Sequence, residues 1–421
     1  MKQLQGRVRD YAWGSFQAIP EFFGYPPADY PLAELWLGTH PAASSYITED
    51  PQALALASVN PEPDDLGDSG VGDLDRQSLR DYLLTGSEWL LGPEVQRQFG
   101  QELPYLLKLI APQRPLSLQV HPSAVQAELG YRRENAQGIS LSSPRRNYRD
   151  KNHKPELVYA LERFEALAGF RSPRRIREVL EGLDTEITQK MLKLLVEMPA
   201  GTGVGAVFKY LLDRESRPSP EQIAEVVAAC AARNPGESPS RRADAIVQLL
   251  AKYYPEDPGV VVSLLLNPVT LQPGEALYIP IGMVHAYLRG MGVEIMANSD
   301  NVLRAGLTEK HVDVYELLQV VDMLAAPPIR IAPEQISPVQ ATYYAPVRDF
   351  ELSVITVEEN QGVQRLRNAG PRIIFGLAGE ITLCTAAERR VLKKGQAVFL
   401  GLQDGAIDIF GSGKAVQADV P

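Results

Sequence analysis

Four side chains of metal-ligand type fall on short apolar stretches that lie far apart in the chain. In Leu116-Ser117-Leu118-Gln119-Val120-His121-Pro122 apolar and polar residues alternate. Gln119 and His121, two positions apart, then share one face of a strand and can reach one metal together. Glu156 begins an apolar strand, 157–160, behind the turn at Pro155, and can supply a carboxylate from a neighbouring strand. His285 closes the stretch Gly274-Glu275-Ala276-Leu277-Tyr278-Ile279-Pro280-Ile281-Gly282-Met283-Val284-His285. That stretch reads as a strand, a tight turn forced by Pro280 and Gly282, and a second strand with the histidine at its start. Two imidazoles, a carboxylate and an amide oxygen with an exchangeable position describe a catalytic rather than a structural metal site. The ligand types suit zinc, and also iron or manganese. A lone strand histidine is more often a hydrogen-bonded residue than a ligand. Here two of only five histidines sit in strand–turn contexts that can converge on one barrel.

The elements that must position these groups follow from the periodicity. From 1 to about 165 the pattern is short strands with Pro and Gly turns. The segment 61–75 is acidic and glycine-rich, a surface loop. The polar segment 132–150 holds Arg132, Arg133, Arg145, Arg146 and Arg149, and reads as a solvated loop or as a rim that attracts phosphate. From 172 to 257 the period turns helical, with Ile176, Val179, Leu180 and Leu183 at i, i+3, i+4 and i+7. Ser219-Pro220-Glu221-Gln222 is a helix start, with Ile223, Val226, Val227 and Cys230 along one face, and 243–254 is a further helix. Strands are expected again from 260–266 through 297, then a helix over 311–324 striped by Val314, Leu317, Leu318 and Val321. Beyond Pro327 strands resume at 350–357, 372–377, 380–384 and 397–400. There Lys394-Gly395-Gln396-Ala397-Val398-Phe399-Leu400-Gly401 echoes Pro273-Gly274-Glu275-Ala276-Leu277-Tyr278-Ile279-Pro280 without a following histidine.

Length and composition bound the class. With 421 residues, 45% of them hydrophobic, the chain can bury a large core in two or three domains. Its net charge of -10 is spread rather than blocked, which argues against a nucleic-acid partner. An anionic substrate remains compatible, because a local pocket of Lys and Arg decides that. Cys230 and Cys384 lie far apart in dissimilar contexts and read as buried free thiols of a reducing cytosol. No basic-apolar leader opens the sequence, and no apolar run is long enough to cross a bilayer. A cytoplasmic protein with no membrane contact and no implied partner protein is expected.

Two resemblances sharpen this reading. The spacing of Gly274, Pro280, Gly282 and His285 resembles the second sequence motif of the cupins, a jelly-roll barrel family, with Arg289 where an Asn is usual. The run Tyr148-x-Asp150-x-Asn152-His153-Lys154-Pro155-Glu156 is similar to the signature of the type I phosphomannose isomerases. In the same order, Tyr11-Ala12-Trp13-Gly14, 33–41, 108–122, 273–290 and 298–310 resemble that family too, so the likeness covers roughly the first 325 residues. Glu309 departs from the family, which often has Pro before the lysine at Lys310.

The resemblance implies a mainly β protein with an α-helical insertion: cupin-type jelly-roll barrels, two β domains plus a helical domain. Residues 1–170 and 258–326 would form the catalytic metal-binding domain, 171–257 the helical insertion, and 327–421 a degenerate jelly roll. It implies one Zn2+ per chain on Gln119, His121, Glu156 and His285, a catalytic Arg304, and Trp13, Glu34, Lys108, Tyr287, Asp300 and Lys310 around a sugar phosphate. Interconverting an aldose and a ketose requires moving a weakly acidic proton between C1 and C2. A metal that polarises the carbonyl and a cation such as Arg304 would stabilise the developing charge. Lys154 and Glu294 join Arg304 as catalytic candidates, and Glu294, His153 and Lys154 all stay open as the base. The competing classes are an iron-dependent oxygenase on two His and one Glu, and a sugar-binding protein without catalysis.

Overall fold

The computed structural model describes residues 1–49, 76–198, 201–366 and 370–421. The expected loop at 61–75 lies outside the described residues. Within them the chain is mainly β, with three antiparallel sheets and twelve α-helices.

Two sheets face each other. The seven-stranded one runs Ile329–Ile331, Ala276–Ile279, Glu156–Ala160, Gly292–Ala297, Tyr105–Ile110, Glu34–Gly38, Arg7–Arg9. The five-stranded one runs Leu303–Gly306, Leu118–Val120, His285–Arg289, Phe164–Phe170, Leu266–Leu271. Side chains from both, including Ile110, Val158, Leu277 and Ile279 from the first and Ala166, Ala168, Leu271 and Tyr287 from the second, share one apolar core. The run Tyr105–Ile110, apolar except for Lys108, arises because the seven-stranded sheet is buried on both faces. Its other face, through Leu107, Leu109, Leu157, Tyr159, Val293 and Ile295, packs on Phe350 and on Leu352, Phe375, Phe399 and Val416 of the third sheet.

That third sheet is built mostly from 334–419, but its order places Lys2–Gln5 beside Ala397–Leu400, with Gln3 opposite Val398. The first strand of the expected barrel segment 1–170 therefore sits in the C-terminal sheet. The far side of the third sheet has its own aliphatic core, including Ile355, Ile374, Val398 and Ile409.

The helical block packs on the outer face of the five-stranded sheet, where Leu118, Val120, Ala286, Leu288, Leu303 and Ala305 meet Ile176, Val179, Phe208 and Ile223. Its helices are Pro173–Leu180, Glu186–Glu197, Gly203–Leu212, Pro220–Ala232 and Arg241–Tyr253. The Ser219 cap forms as expected, with its side chain accepting from the Gln222 amide and the Gln222 side chain returning to the Ser219 amide.

Three expectations are corrected. The apolar run 260–266 is not a strand: Gly259–Val262 is helical and Ser263–Leu265 a 3-10 turn, with strand only from Leu266. A run buried on every side carries no period to tell helix from strand, and Asp257, whose side chain accepts from the Gly259 amide, starts the turn. The helix expected over 311–324 is confined to Val314–Val320 by its Asp313 N-cap and by Val321 turning extended. The polar segment 132–150 is neither wholly solvated nor a free rim. Its start lies in the helix Ala124–Ala136, and Arg146 is buried on Glu134 and on the carbonyls of Ile139 and Tyr148.

Candidate metal centre

Register alone brings the first residues together. On the five-stranded sheet Gln119 lies directly opposite His285 on one side and Arg304 on the other. Directly opposed residues of antiparallel strands project to the same face. That face is the interior between the two sheets, because the alternate residues Leu118 and Val120 point into the helical core. His121, two residues on, follows the strand end. Across the interior, Glu156 opens the strand Glu156–Ala160 between Ile279 and Met296. The turn before His285 is held by Gly282, whose φ of 77° suits a residue without Cβ and whose amide donates to the His121 carbonyl at 2.8 Å.

Glu156 bridges the two imidazoles. His121 Nε2 is 3.1 Å from its Oε1 and His285 Nε2 is 3.2 Å from its Oε2. Both Nδ1 atoms face backbone carbonyls, Asn301 O at 2.8 Å and Met283 O at 3.1 Å. A carbonyl only accepts, so each Nδ1 carries the proton and each Nε2 turns a lone pair toward the carboxylate. Burial, then the Lys154 ammonium, lowers the His121 pKa to about 4, so no second proton fills the gap at neutral pH. His121 Nε2 is buried and makes no hydrogen bond. Two imidazole lone pairs facing a carboxylate repel unless a cation stands between them. The ligand-type atoms of His121, Glu156 and His285 lie within 4.8 Å of one another, so this donor set fits a metal ion, and Gln119 lies opposite His285 in register. The carbonyl-bound Nδ1 atoms are the outer support that metal-binding histidines ordinarily have.

A chain of charged groups continues from Glu156. Burial works against its ionisation, but Lys154 and His121 outweigh that and hold the carboxyl well below its ordinary range. Lys154 Nζ donates to Glu156 Oε1 at 2.8 Å. Tyr287, two residues past His285, places its hydroxyl 3.4 Å from Glu156 Oε2. Burial, then Glu294 and Glu156, push that phenol well above its usual range, so it stays a donor. Glu294 lies opposite Lys108 in register, and Lys108 Nζ is 3.1 Å from Glu294 and 3.4 Å from Glu34. Burial opposes the Lys108 charge, but Glu34 and Glu294 hold its pKa above normal. Burial raises the Glu294 pKa, Lys108 lowers it, and Glu156 and Glu34 raise it further, with a net upward shift. Trp36 donates its indole N–H to Glu34 at 2.8 Å and lies beneath the Lys108 ammonium.

The remaining candidates spread around this centre. Arg304 is half-buried beside Gln119, and burial, then Arg149, draws its pKa down. Asp300 meets His40 Nε2 at 3.3 Å; burial opposes its ionisation, yet that contact holds the carboxyl at about 2. Trp13 is half-buried against the interior core and stacks on Tyr11. Lys310 is exposed. His153 is turned away, its Nε2 2.9 Å from Asp349 of the C-terminal segment.

Sequence reasoning missed three supports. Asn301 accepts from the amides of Arg149 and Asp150 and donates to the carbonyls of Asp150 and Asn152, while its own carbonyl accepts from His121. Asp150 accepts from Ser299 and from the Asp300 amide. His40 orients Asp300. Asp150 and Asn301 lie in segments already singled out by resemblance, which was the available signal.

The sequence model for the phosphomannose isomerase type I catalytic domain matches residues 1–72 and 67–173. The chain is 33% identical to a mannose-6-phosphate isomerase of Escherichia coli (strain K12) over 98% of both chains. It is 30% identical to mannose-6-phosphate isomerase 1 of Arabidopsis thaliana over 95% of this chain and 89% of that one. A crystal structure of mannose 6-phosphate isomerase from Salmonella typhimurium, bound to fructose 6-phosphate and zinc, superposes with a TM-score of 0.84. It shares 33% identity and covers 100% of this chain and 99% of that one.

Proposed function

The chain belongs to the type I phosphomannose isomerases, an aldose–ketose isomerase family, and on that premise we propose that it interconverts mannose 6-phosphate and fructose 6-phosphate with one zinc ion held by Gln119, His121, Glu156 and His285. The observation that carries the metal assignment is the pair of imidazole lone pairs turned on one buried carboxylate. The oxygenase and the non-catalytic reading fall with the family assignment. When bound, the zinc supplies a Lewis acid for the sugar's carbonyl.

The protein's own groups do the rest. Glu294 is our choice for the group that carries the proton between C1 and C2 through an enediol. It is buried, burial raises its pKa, and Tyr287 links it to the metal carboxylate. Lys154 is engaged in orienting Glu156, and His153 is engaged with Asp349. Lys108 fixes Glu34 and Glu294 relative to each other. Arg304 faces the same interior by register and offers a fixed cation to the negative charge that develops as the proton leaves. Trp13 and Asp300 wall the chamber, and exposed Lys310 meets the phosphate. The two facing sheets we read as a cupin-type barrel from 1–170 and 258–326, with 171–257 inserted and 327–421 a second roll without ligands.

Conversion of mannose 6-phosphate to fructose 6-phosphate tests this. Purified enzyme should be active, lose activity to a chelator and regain it with added zinc. A folded, zinc-loaded protein without activity on this pair would overturn the substrate assignment. The Glu294 role has its own signature. An upward-shifted carboxyl must be ionised to act as a base, so the acid limb of kcat/KM should lie above the ordinary Glu range. Glu294→Gln should remove that limb and cost about 10²–10⁴ in kcat. A limb that persists in the variant assigns the base elsewhere.

A further inference from the structure

The corner where the five-stranded sheet meets the helical block gathers more guanidinium groups than carboxylates. Arg171 follows the strand Phe164–Phe170 and directly precedes Ser172, the N-cap of Pro173–Leu180. It is only 5% exposed, its Nε has no hydrogen-bond partner, and no ion pair engages it among the described residues. Arg242 enters from the first turn of Arg241–Tyr253. Its Nη1 donates to the Pro268 carbonyl at 3.2 Å, on the strand paired with Phe164–Phe170, and its Nη2 is buried without a partner. Arg175 donates to the Pro239 carbonyl at 3.0 Å, just before Ser240, the N-cap of Arg241–Tyr253.

The nearby acids are already engaged, including Glu165, whose charge also acts on Arg242. Glu165 holds Arg163 and Arg289, Glu178 holds Arg174 and Arg175, and Glu275 holds Arg330. Burial, then the charges of Arg175 and Arg242, brings the Arg171 pKa down to about 10, the mark of a cation among cations. Leaving a charged donor buried and unpaired is unfavourable. Here two guanidinium groups do so in the same corner, beside two helix N-termini, whose partial positive charge favours an anion.

We propose that Arg171, Arg242 and Arg175 form a second anion site, separate from the metal centre, that takes a compact tetrahedral oxyanion of the inorganic phosphate class. The near-complete burial of Arg171 favours a small ion over an extended phosphorylated molecule. None of the three residues belongs to the catalytic set, so occupancy is read independently of turnover.

The test counts inorganic phosphate bound per chain by calorimetry on the zinc-loaded enzyme, with chloride matching the ionic strength. Arg171→Met should bind one phosphate fewer than the parent while kcat/KM stays unchanged. Its melting temperature in chloride should equal or exceed that of the parent, because a buried unpaired charge has gone. Arg242→Gln repeats the count should Arg171→Met fail to fold. Equal phosphate counts in parent and folded variants overturn the site, while activity reports the metal centre separately.

Discussion

Glu156→Gln should empty the metal site and reduce turnover by about three orders of magnitude or more. The carboxylate is the only anionic ligand in the set, and it stands within 3.2 Å of both imidazole nitrogens. A neutral amide removes the charge that holds a dication between two neutral rings. Lewis-acid stabilisation is worth several kcal/mol, and each 1.36 kcal/mol is a factor of ten, hence the expected loss. Metal analysis and kinetics on the same preparation check it: stoichiometric zinc in the variant would show that Glu156 is not a ligand. The change also strands Lys154, which is 7% exposed and donates to Glu156. Breaking a buried pair from one side costs about 3–5 kcal/mol. Lys154→Met in the same chain should recover much of that stability and none of the activity, separating loss of fold from loss of metal.

Arg304→Ala should do the opposite, keeping the metal and the fold while kcat falls by about 10²–10³. Arg304 shares a register position with the ligand Gln119, yet no carboxylate pairs with it among the described residues. Burial and Arg149 disfavour its charge, so the fold gains nothing from holding it there. Thermal stability should change by no more than about 0.5 kcal/mol, as for a substitution outside the packed core. Lys at the same position should restore part of kcat by returning the charge without the planar fork. Unchanged kcat in the Ala variant would remove Arg304 from the mechanism.

His121, Glu156 and His285, which the fold gathers, were legible in the sequence as ligand-type side chains on short apolar stretches, and strand alternation is short-ranged: Gln119 and His121 need only a two-residue period to share a face. The helical block was legible for the same reason, through the spacing from Ile176 to Leu183 and the cap at Ser219. What was not legible depends on long-range or backbone geometry. Asn301 acts through its main-chain carbonyl on His121, 180 residues away, and no residue pattern announces that. The run 259–265 is buried on every side, so it has no face from which to read a period. Arg146 looks like a solvated residue until the helix Ala124–Ala136 brings Glu134 beneath it. The membership of Lys2–Gln5 in the far sheet is a matter of topology alone.

That last pairing bears on synthesis of the chain. Lys2–Gln5 pairs early with Tyr46–Ile47 on one edge, but its other edge finds a partner only once Ala397–Leu400 has been made, nearly 400 residues later. The sheet carrying Glu156 likewise waits for residues 350–416 to cover its outer face. On the ribosome, at roughly 5–20 residues per second, one edge of the first strand and one face of the future chamber stay uncovered for on the order of tens of seconds. A shortened catalyst ending near residue 326 would live permanently in that exposed state, so this enzyme resists being pared down to its active half.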